Sequence, residues 1–136
     1  MNIRMFEVLG VPVALKRHRH TKTGISYDPS KKDKANFLKK CLIHKPKKAY
    51  SGPITMKLEF YFPRAKSHYG TGKNASRLKE SAPIFHTSVP DIDNLVKFVC
   101  DALNGTFYED DRQINNLLAW KDYGDYGHVN VIIEEI

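Results

Sequence analysis

One acidic stretch in the second half of the chain has the composition and spacing of a metal site. Residues 90–97 read PDIDNLVK, and together with the acidic run at 109–111 they give the window 90–111 six carboxylates and a single lysine. Crowded carboxylates repel one another unless a cation relieves the repulsion. Magnesium prefers hard oxygen ligands, often one or two carboxylates together with substrate phosphates. The stretch therefore predicts a divalent-metal site, and it favours metal-assisted cleavage of a phosphodiester.

Asp91 and Asp93 are spaced so that they can act together. Residues i and i+2 of an extended segment point the same way, with their Cβ atoms about 7 Å apart. Both carboxylates can then reach one metal ion, or one each of a pair about 4 Å apart. The alternative is structural, because Asp93 is also placed to cap a following helix. Asp110 and Asp111 offer a further ligand if one of them points toward this pair, and otherwise they form a polar turn.

Lys97 follows Asp93 by one helical turn. As an exposed i, i+4 pair the two side chains would contribute only about 0.3–0.5 kcal/mol. At a metal site, the same ammonium group would stabilise negative charge developing on a phosphate. Asp101 lies a further turn along, and a salt bridge with Lys97 is its simplest role. His86 is the histidine nearest this stretch and could act as a base, but we expect it to lie at the surface.

Strands are predicted from two-residue periodicity at four places. They are expected over 3–9, 54–62, 114–120 and 129–133, and the last two are expected to pair as a hairpin. With two intervening helices the order is β, α, β, α, β, β. This order predicts an α+β fold in which a small mixed sheet carries helices mainly on one face.

Two helices are predicted from capping signals and three- to four-residue periodicity. The first is expected to begin near Asp28-Pro29-Ser30, with Ser30 and Asp33 as a capping box, and to end at Pro46. The second is expected over residues 93–104, with a glycine at its carboxyl end. This second helix would carry the acidic stretch at its start.

Length and composition indicate a single domain over residues 1–136. The chain is 41% hydrophobic, which suits one globular core. Cys41 and Cys100 lie outside any CxxC pair and are expected to be free thiols in a reducing compartment. The amino terminus lacks a signal-peptide pattern, and no apolar run approaches the ~18 residues of a membrane span, so we expect a cytoplasmic protein without membrane contact.

Positive charge elsewhere gives the chain a formal net charge of +7, which favours a polyanionic partner. It is concentrated in residues 16–22 and along residues 63–89. The first segment is either an arm that contacts phosphate or a solvated turn, and the second is either a flap over nucleic acid or a disordered loop. The side chains expected to contact DNA are Lys16, Arg17, Arg19, Lys22, Arg64, Lys66, Lys73 and Arg77.

The acidic stretch and its surroundings resemble the motif of the RusA family of Holliday junction resolvases. The similarity is dense over residues 90–114, in the runs PDIDNLVK, DALN and YEDDRQI. It is looser at residues 10–12 and 51–53. Residues 87–89 stand where some members have aromatic side chains, so a strand-opening role of those aromatics does not transfer to this chain.

The resemblance implies a small homodimeric endonuclease that depends on Mg²⁺, with Mn²⁺ as an alternative ion. Such an enzyme binds four-way DNA junctions and resolves them by paired symmetrical nicks in recombination and repair. A bacterial or prophage origin and an association with the nucleoid are implied as well. The resemblance assigns catalysis and metal binding to Asp91, Asp93 and Asp111, makes Lys97 the functional lysine, and gives supporting places to Asp110, Asp101 and Asn94.

Two alternatives remain open on the residues themselves. One is a nuclease of broader substrate specificity, which cuts flaps or other branched DNA with the same acidic site. The other is a DNA-binding module without catalytic activity, whose binding would be salt-sensitive and indifferent to chelation of divalent ions.

Overall fold

Residues 2–136 are described by a computed structural model, in which a four-stranded sheet packs against two α-helices. The sheet contains β1 (Ile3–Leu9), β4 (Ile54–Pro63), β5 (Ile114–Gly124) and β6 (His128–Glu135), in the spatial order β1-β6-β4-β5. Two short strands, β2 (Arg19–His20) and β3 (Ser26–Tyr27), form a separate hairpin. The helices are α1 (Lys31–Cys41) and α2 (Ile92–Leu103). The predicted α+β fold with a mixed sheet is confirmed.

Strand β4 lies inside the sheet and supplies much of its core. Every second residue from Ile54 to Phe62 is buried, and the residues between them are partly exposed. Leu58, at its middle, pairs with Val131 of β6 on one side and Ala119 of β5 on the other. The alternation gives the sheet one apolar face toward the helices, because successive side chains of a strand point to opposite faces.

The predicted hairpin of the last two strands is wrong. Strand β5 pairs with β4 in parallel, whereas β6 pairs with β4 and β1 in antiparallel fashion, so β4 separates β5 from β6. Helix α2 connects β4 to β5 as a crossover, which is the connection that parallel neighbours require. Residues 125–127 then lead past the end of β4 to its other side. A short turn between two strands permits adjacent pairing but does not enforce it.

Both helices pack on the same face of the sheet, as predicted. Helix α2 buries Leu95, Phe98, Val99, Ala102 and Leu103, and the ring of Phe98 meets that of Phe37 of α1 edge-on at 5.7 Å. On the opposite face of the sheet no helix of residues 2–136 packs, and exposed apolar side chains lie there on the two edge strands, among them Met5, Leu118 and Trp120.

The start of α1 differs from its prediction in one respect. Ser30 is the N-cap residue, but the predicted capping box with Asp33 does not form, because the Ser30 side chain makes no bond within the helix. Its hydroxyl accepts a hydrogen bond of 2.9 Å from the backbone N–H of Lys16 instead. After Cys41 the chain continues as a 3₁₀ turn over Leu42–His44, so the helical segment ends just before Pro46.

The long segment 63–89 has its own hydrogen-bonded fold. It contains 3₁₀ turns at Lys66–His68 and Gly72–Asn74, and the Gly70 N–H donates to the Arg77 carbonyl at 3.0 Å. Gly70 is required there, since a Cβ would lie 2.7 Å from the Asn74 carbonyl oxygen. The alternative of a disordered loop is therefore not what the structure has.

Two further predictions can be compared with the described residues. Cys41 and Cys100 are both free. Between residues 2 and 136, no helix has both the length and the apolar character needed to cross a membrane.

Candidate active site

Helix α2 starts at the acidic stretch. Asp91 is its N-cap residue, with an extended backbone (φ −70°, ψ 143°), and its carbonyl accepts the first helical hydrogen bond from Leu95. The Asp91 side chain makes no capping bond, and Asp91 and Asp93 are both exposed. Because the cap position belongs to Asp91 and Asp93 lies within the helix, the extended arrangement of the two residues and the alternative in which Asp93 caps the helix are both wrong. Both carboxylates are accessible to a ligand from solvent.

Lys97 is the cation nearest to Asp93. Its Nζ lies 3.9 Å from the Asp93 carboxylate, and both side chains are more than half exposed, at 62% and 65%. A pair this open to water contributes little to stability. Lys97 also lines a shallow cavity of about 370 Å³ together with Cys100, Asp101 and Asp111. The lysine therefore connects the start of α2 with the second acidic group.

Asp111 lies in that cavity, where its charge is poorly accommodated. Its pKa is raised above the ordinary aspartate value, first because the carboxyl is partly removed from water and then because Asp110 and Asp101 are negatively charged neighbours. Desolvation and like charges both disfavour the ionised form. A carboxylate in this state gains more from a nearby cation than an isolated surface aspartate would.

The segment that carries Asp111 is fixed to the core. The buried hydroxyl of Tyr108 donates to the Cys100 carbonyl of α2 at 2.7 Å. The Gln113 amide donates to the carbonyls of Tyr50 and Gly52, each at 2.9 Å. These bonds tie the segment to α2 and to the chain that leads into β4, so Asp111 has a defined position beside the helix.

Asp110 and Asp111 have different roles. Asp110 caps the 3₁₀ turn Asp111–Gln113, its carboxylate accepting from the Arg112 N–H at 2.9 Å, while its own N–H donates to the Gln113 side chain at 2.7 Å. This is a reciprocal capping box. Asp110 thus stabilises the turn, and Asp111 is the member of the pair that lines the cavity.

Asp101 pairs with a residue that the sequence did not indicate. Its carboxylate lies 3.7 Å from Nζ of Lys34 in α1, and the same ammonium pairs with Asp28. The simple expectation of an Asp101–Lys97 salt bridge is not what the structure has. The available signal was the surplus of lysines on α1, but nothing in their spacing singled out Lys34.

The predicted site residues are brought together in two groups. Asp91 and Asp93 lie at the start of α2, and Asp111 lies with Asp101 about two to three turns further along, with Lys97 between the groups. Within residues 2–136, no three or more His, Cys, Asp or Glu side chains form a ready-made metal cluster. The donor chemistry nevertheless suits a hard cation, since every candidate ligand is a carboxylate and Asp111 carries unfavourable charge.

His86 is buried, so its predicted place at the surface is wrong. Its ring packs between Phe62 at 4.5 Å and Tyr123 at 4.8 Å, and only 7% of the residue is exposed. Burial lowers its pKa, and the positive charge of Lys121 lowers it further. The burial of His86 could not be expected from local sequence, because its packing partners Phe62 and Tyr123 are distant from it along the chain.

The basic residues expected to contact DNA lie on two surface features. Lys16, Arg17, Arg19 and Lys22 are all exposed on or beside the β2–β3 hairpin. Just before them, the Leu15 N–H donates to the carbonyl of Asn94 in α2 at 2.9 Å, which joins this basic arm to the acidic helix.

The loop 63–89 presents the other basic residues. Lys66, Lys73 and Arg77 are exposed. Arg64 has intramolecular partners, because its guanidinium stacks on Tyr123 at 4.4 Å and donates to the Pro83 carbonyl at 2.6 Å. Arg64 therefore contributes to the structure of the loop as well as to its charge.

Comparison with known proteins identifies the class to which this fold and site belong. The family described as Endodeoxyribonuclease RusA matches residues 10–134, which is nearly the whole chain. The chain therefore belongs to the RusA endodeoxyribonuclease family, a nuclease family that binds branched DNA junctions. A relative from Bacillus subtilis (strain 168), uncharacterized protein YqaN, is 32% identical over 141 residues, covering 100% of this chain and 99% of the relative.

Proposed function

We propose that this nuclease is a divalent-metal-dependent resolvase, which binds four-way DNA junctions and cuts two opposed strands with paired symmetrical nicks. The observation that carries the proposal is the convergence of Asp111 with α2, the helix that carries Asp91, Asp93 and Lys97. Acidic residues far apart in sequence thus lie on or beside one helix, in a protein whose net charge is +7. The net positive charge attracts DNA, and the carboxylates offer oxygen ligands to a metal.

Asp91, Asp93 and Asp111 would hold Mg²⁺ or Mn²⁺, with the scissile phosphate completing the ligand set. When bound, such an ion supplies Lewis-acid polarisation of the phosphate and an activated water. The exposed carboxylates at the start of α2 would supply part of the ligand set of that ion. Lys97 neutralises negative charge that develops on the phosphate, a role suited to its place between Asp93 and the Asp111 cavity. Asp110 supports Asp111 by capping the turn that carries it, and Asp101, paired with Lys34, adds a further carboxylate beside Asp111.

A homodimer follows from the symmetry of the substrate. An open four-way junction has an approximate two-fold axis, and a two-fold dimer presents one acidic site to each of two opposed strands. The open sheet face, with Met5, Leu118 and Trp120 exposed, offers apolar surface to a second copy. Sedimentation of the purified protein should give twice the chain mass of 15.6 kDa.

The decisive experiment compares substrates and metal conditions. A synthetic four-way junction, a flap and a linear duplex are incubated with the protein and Mg²⁺, Mn²⁺ or a chelator. Paired nicks at symmetrical positions of the junction, only with metal, are expected. Equal cutting of flaps would indicate a broader branched-DNA nuclease, and salt-sensitive binding without any nicking would refute an enzyme of this kind. We infer further that the protein acts at the nucleoid, in recombination and repair.

A further inference from the structure

A lysine of β5 reaches into the segment that leads to Asp91. Lys121 lies on the helix-covered face of β5, since it pairs with the buried Phe60 of β4. Its ammonium group donates to the Ser88 carbonyl at 2.5 Å and to the Pro90 carbonyl at 2.8 Å. Charged donors make shorter and stronger hydrogen bonds than neutral ones. Two backbone carbonyls just before the acidic stretch are therefore held by one side chain.

The same strand holds this segment at a second point. Tyr123 lies two residues beyond Lys121 and hence on the same face of β5. Its ring packs on that of His86, which is buried against Phe62 on its other side. The His86 Nδ1 has no hydrogen-bond partner among residues 2–136, so the contact of the imidazole with this strand is one of ring packing. Residues 86–90 are thus attached to β5 by a ring contact at one end and an ammonium group at the other.

The Pro90 carbonyl has a direct geometric connection to the site. It belongs to the peptide unit that joins Pro90 to Asp91, and this planar unit fixes the direction in which the Asp91 backbone leaves. Asp91 in turn begins α2, through the hydrogen bond from Leu95 to its carbonyl. A shift of the Pro90 carbonyl would therefore rotate Asp91 relative to Asp93, which lies inside the helix.

We propose that Lys121 is a positioning residue of the nuclease site: it acts through the backbone of Ser88 and Pro90 to fix the orientation of Asp91. The proposal rests on the proposed function, but its structural part does not depend on catalysis. Nothing in the sequence indicates Lys121, because it is one lysine in a strand, remote from the acidic motif. A contact of Lys121 with DNA is the competing interpretation, since one of its three N–H groups is not used by these carbonyls.

The test uses Lys121→Met, which keeps the length of the side chain and removes its donors. Lys57→Met is the matched control, because Lys57 lies in the neighbouring strand on the opposite face, with its ammonium group 4.9 Å from the Trp120 ring centre. Lys121→Met should lower kcat on a four-way junction by about tenfold or more, since displacements of about 1 Å can cost up to 100-fold. KM and junction affinity should stay within about threefold, because DNA contacts are left in place.

A second readout does not require an active enzyme. Hydrogen exchange of the amides in residues 86–92 should be faster in Lys121→Met than in the wild type, and unchanged in Lys57→Met. If Lys121→Met does not fold, Lys121→Gln, which keeps a shorter uncharged donor, is measured by the same two criteria.

The outcomes separate the possibilities. Unchanged kcat and unchanged exchange would overturn the positioning role. Weaker junction binding with normal kcat would overturn it in favour of a DNA contact. If the wild type itself does not cut junctions, the proposed function fails, and the exchange measurement still decides whether Lys121 fixes this segment.

Discussion

The hydroxyl of Tyr108 donates a 2.7 Å hydrogen bond to the carbonyl of Cys100, and both groups belong to the structure that surrounds Asp111. Tyr108 is fully buried, and its pKa is raised strongly by burial and by the negative charges nearby, so it remains a donor at neutral pH. The bond connects the segment of Asp111 to α2 and involves none of the site carboxylates. It can therefore be removed by mutation without changing a candidate metal ligand.

Tyr108→Phe removes this bond and little else. The loss should cost about 1 kcal/mol of unfolding free energy, a typical net value for one buried hydrogen bond. Because Asp111 would lose part of its support, cleavage should fall more than junction binding. Urea unfolding and junction cleavage measure the two effects. Tyr126→Phe is the control, since the Tyr126 hydroxyl bonds only to Glu7 at an exposed position. A cleavage rate equal to the wild type would show that the bond is irrelevant to the site.

Asparagine substitution at Asp91, Asp93 and Asp111, one at a time, should abolish metal-dependent cutting. Asparagine keeps the size of the side chain but loses the charge that holds a divalent ion. Junction binding, measured by gel shift, should stay equal or become tighter, because a negative charge near the phosphates is removed. Asp125→Asn, at an exposed turn residue, serves as the control. Cleavage that survives all three substitutions would refute the assignment.

Asp111→Asn should also stabilise the metal-free protein at neutral pH. The folded-state pKa of Asp111 is raised, so its ionised form destabilises the folded chain at every pH above that pKa, and the penalty disappears as the pH falls toward the ordinary aspartate range. In the presence of a chelator, the unfolding temperature of Asp111→Asn should therefore be higher than that of the wild type at neutral pH. The two temperatures should converge as the pH is lowered. A constant difference across the pH range would indicate a cause other than ionisation.

Arg19→Gln should weaken junction binding and reduce its salt dependence. Each phosphate contact contributes roughly 0.9 to the slope of log K against log salt concentration. If each bound protomer loses one phosphate contact, the magnitude of the slope should fall by roughly 0.9 for each of them. The kcat at saturating DNA should be preserved. Arg4→Gln, whose side chain bonds to the Ile3 carbonyl in β1, is the matched control. If the slope of log K against log salt concentration is the same for both variants, the β2–β3 hairpin is not part of the DNA-binding surface.

The parts of the fold that could be predicted from sequence are those fixed by local pattern. The alternation in residues 54–62 and the apolar stripe of α2 depend on neighbours three or four residues away at most, and both elements are present at the expected places. The partnering of β5 and β6 depends on which strand lies between them, and no local pattern specifies that. Likewise, Ser30 caps in principle, but a distant N–H, that of Lys16, takes its hydroxyl.

In the candidate site, too, the residue identities could be predicted from sequence, whereas their environment could not. Residue type and spacing suggested metal chemistry at Asp91 and Asp93, and the resemblance to the RusA family singled out Lys97 and Asp111. The environment of these residues arises from tertiary contacts. The pairing of Asp101 with Lys34, the burial of His86 and the reach of Lys121 to Pro90 all join segments that are remote in sequence. Whether the three aspartates share one ion remains a prediction.

The bond from the Leu15 N–H to the Asn94 carbonyl has a mechanical consequence. It joins the segment that leads into the exposed arginines of the β2–β3 hairpin to the first turn of α2, the end of the helix at which Asp91 and Asp93 lie. A displacement of that segment would therefore strain the first turn of α2, and with it the relative positions of the two carboxylates.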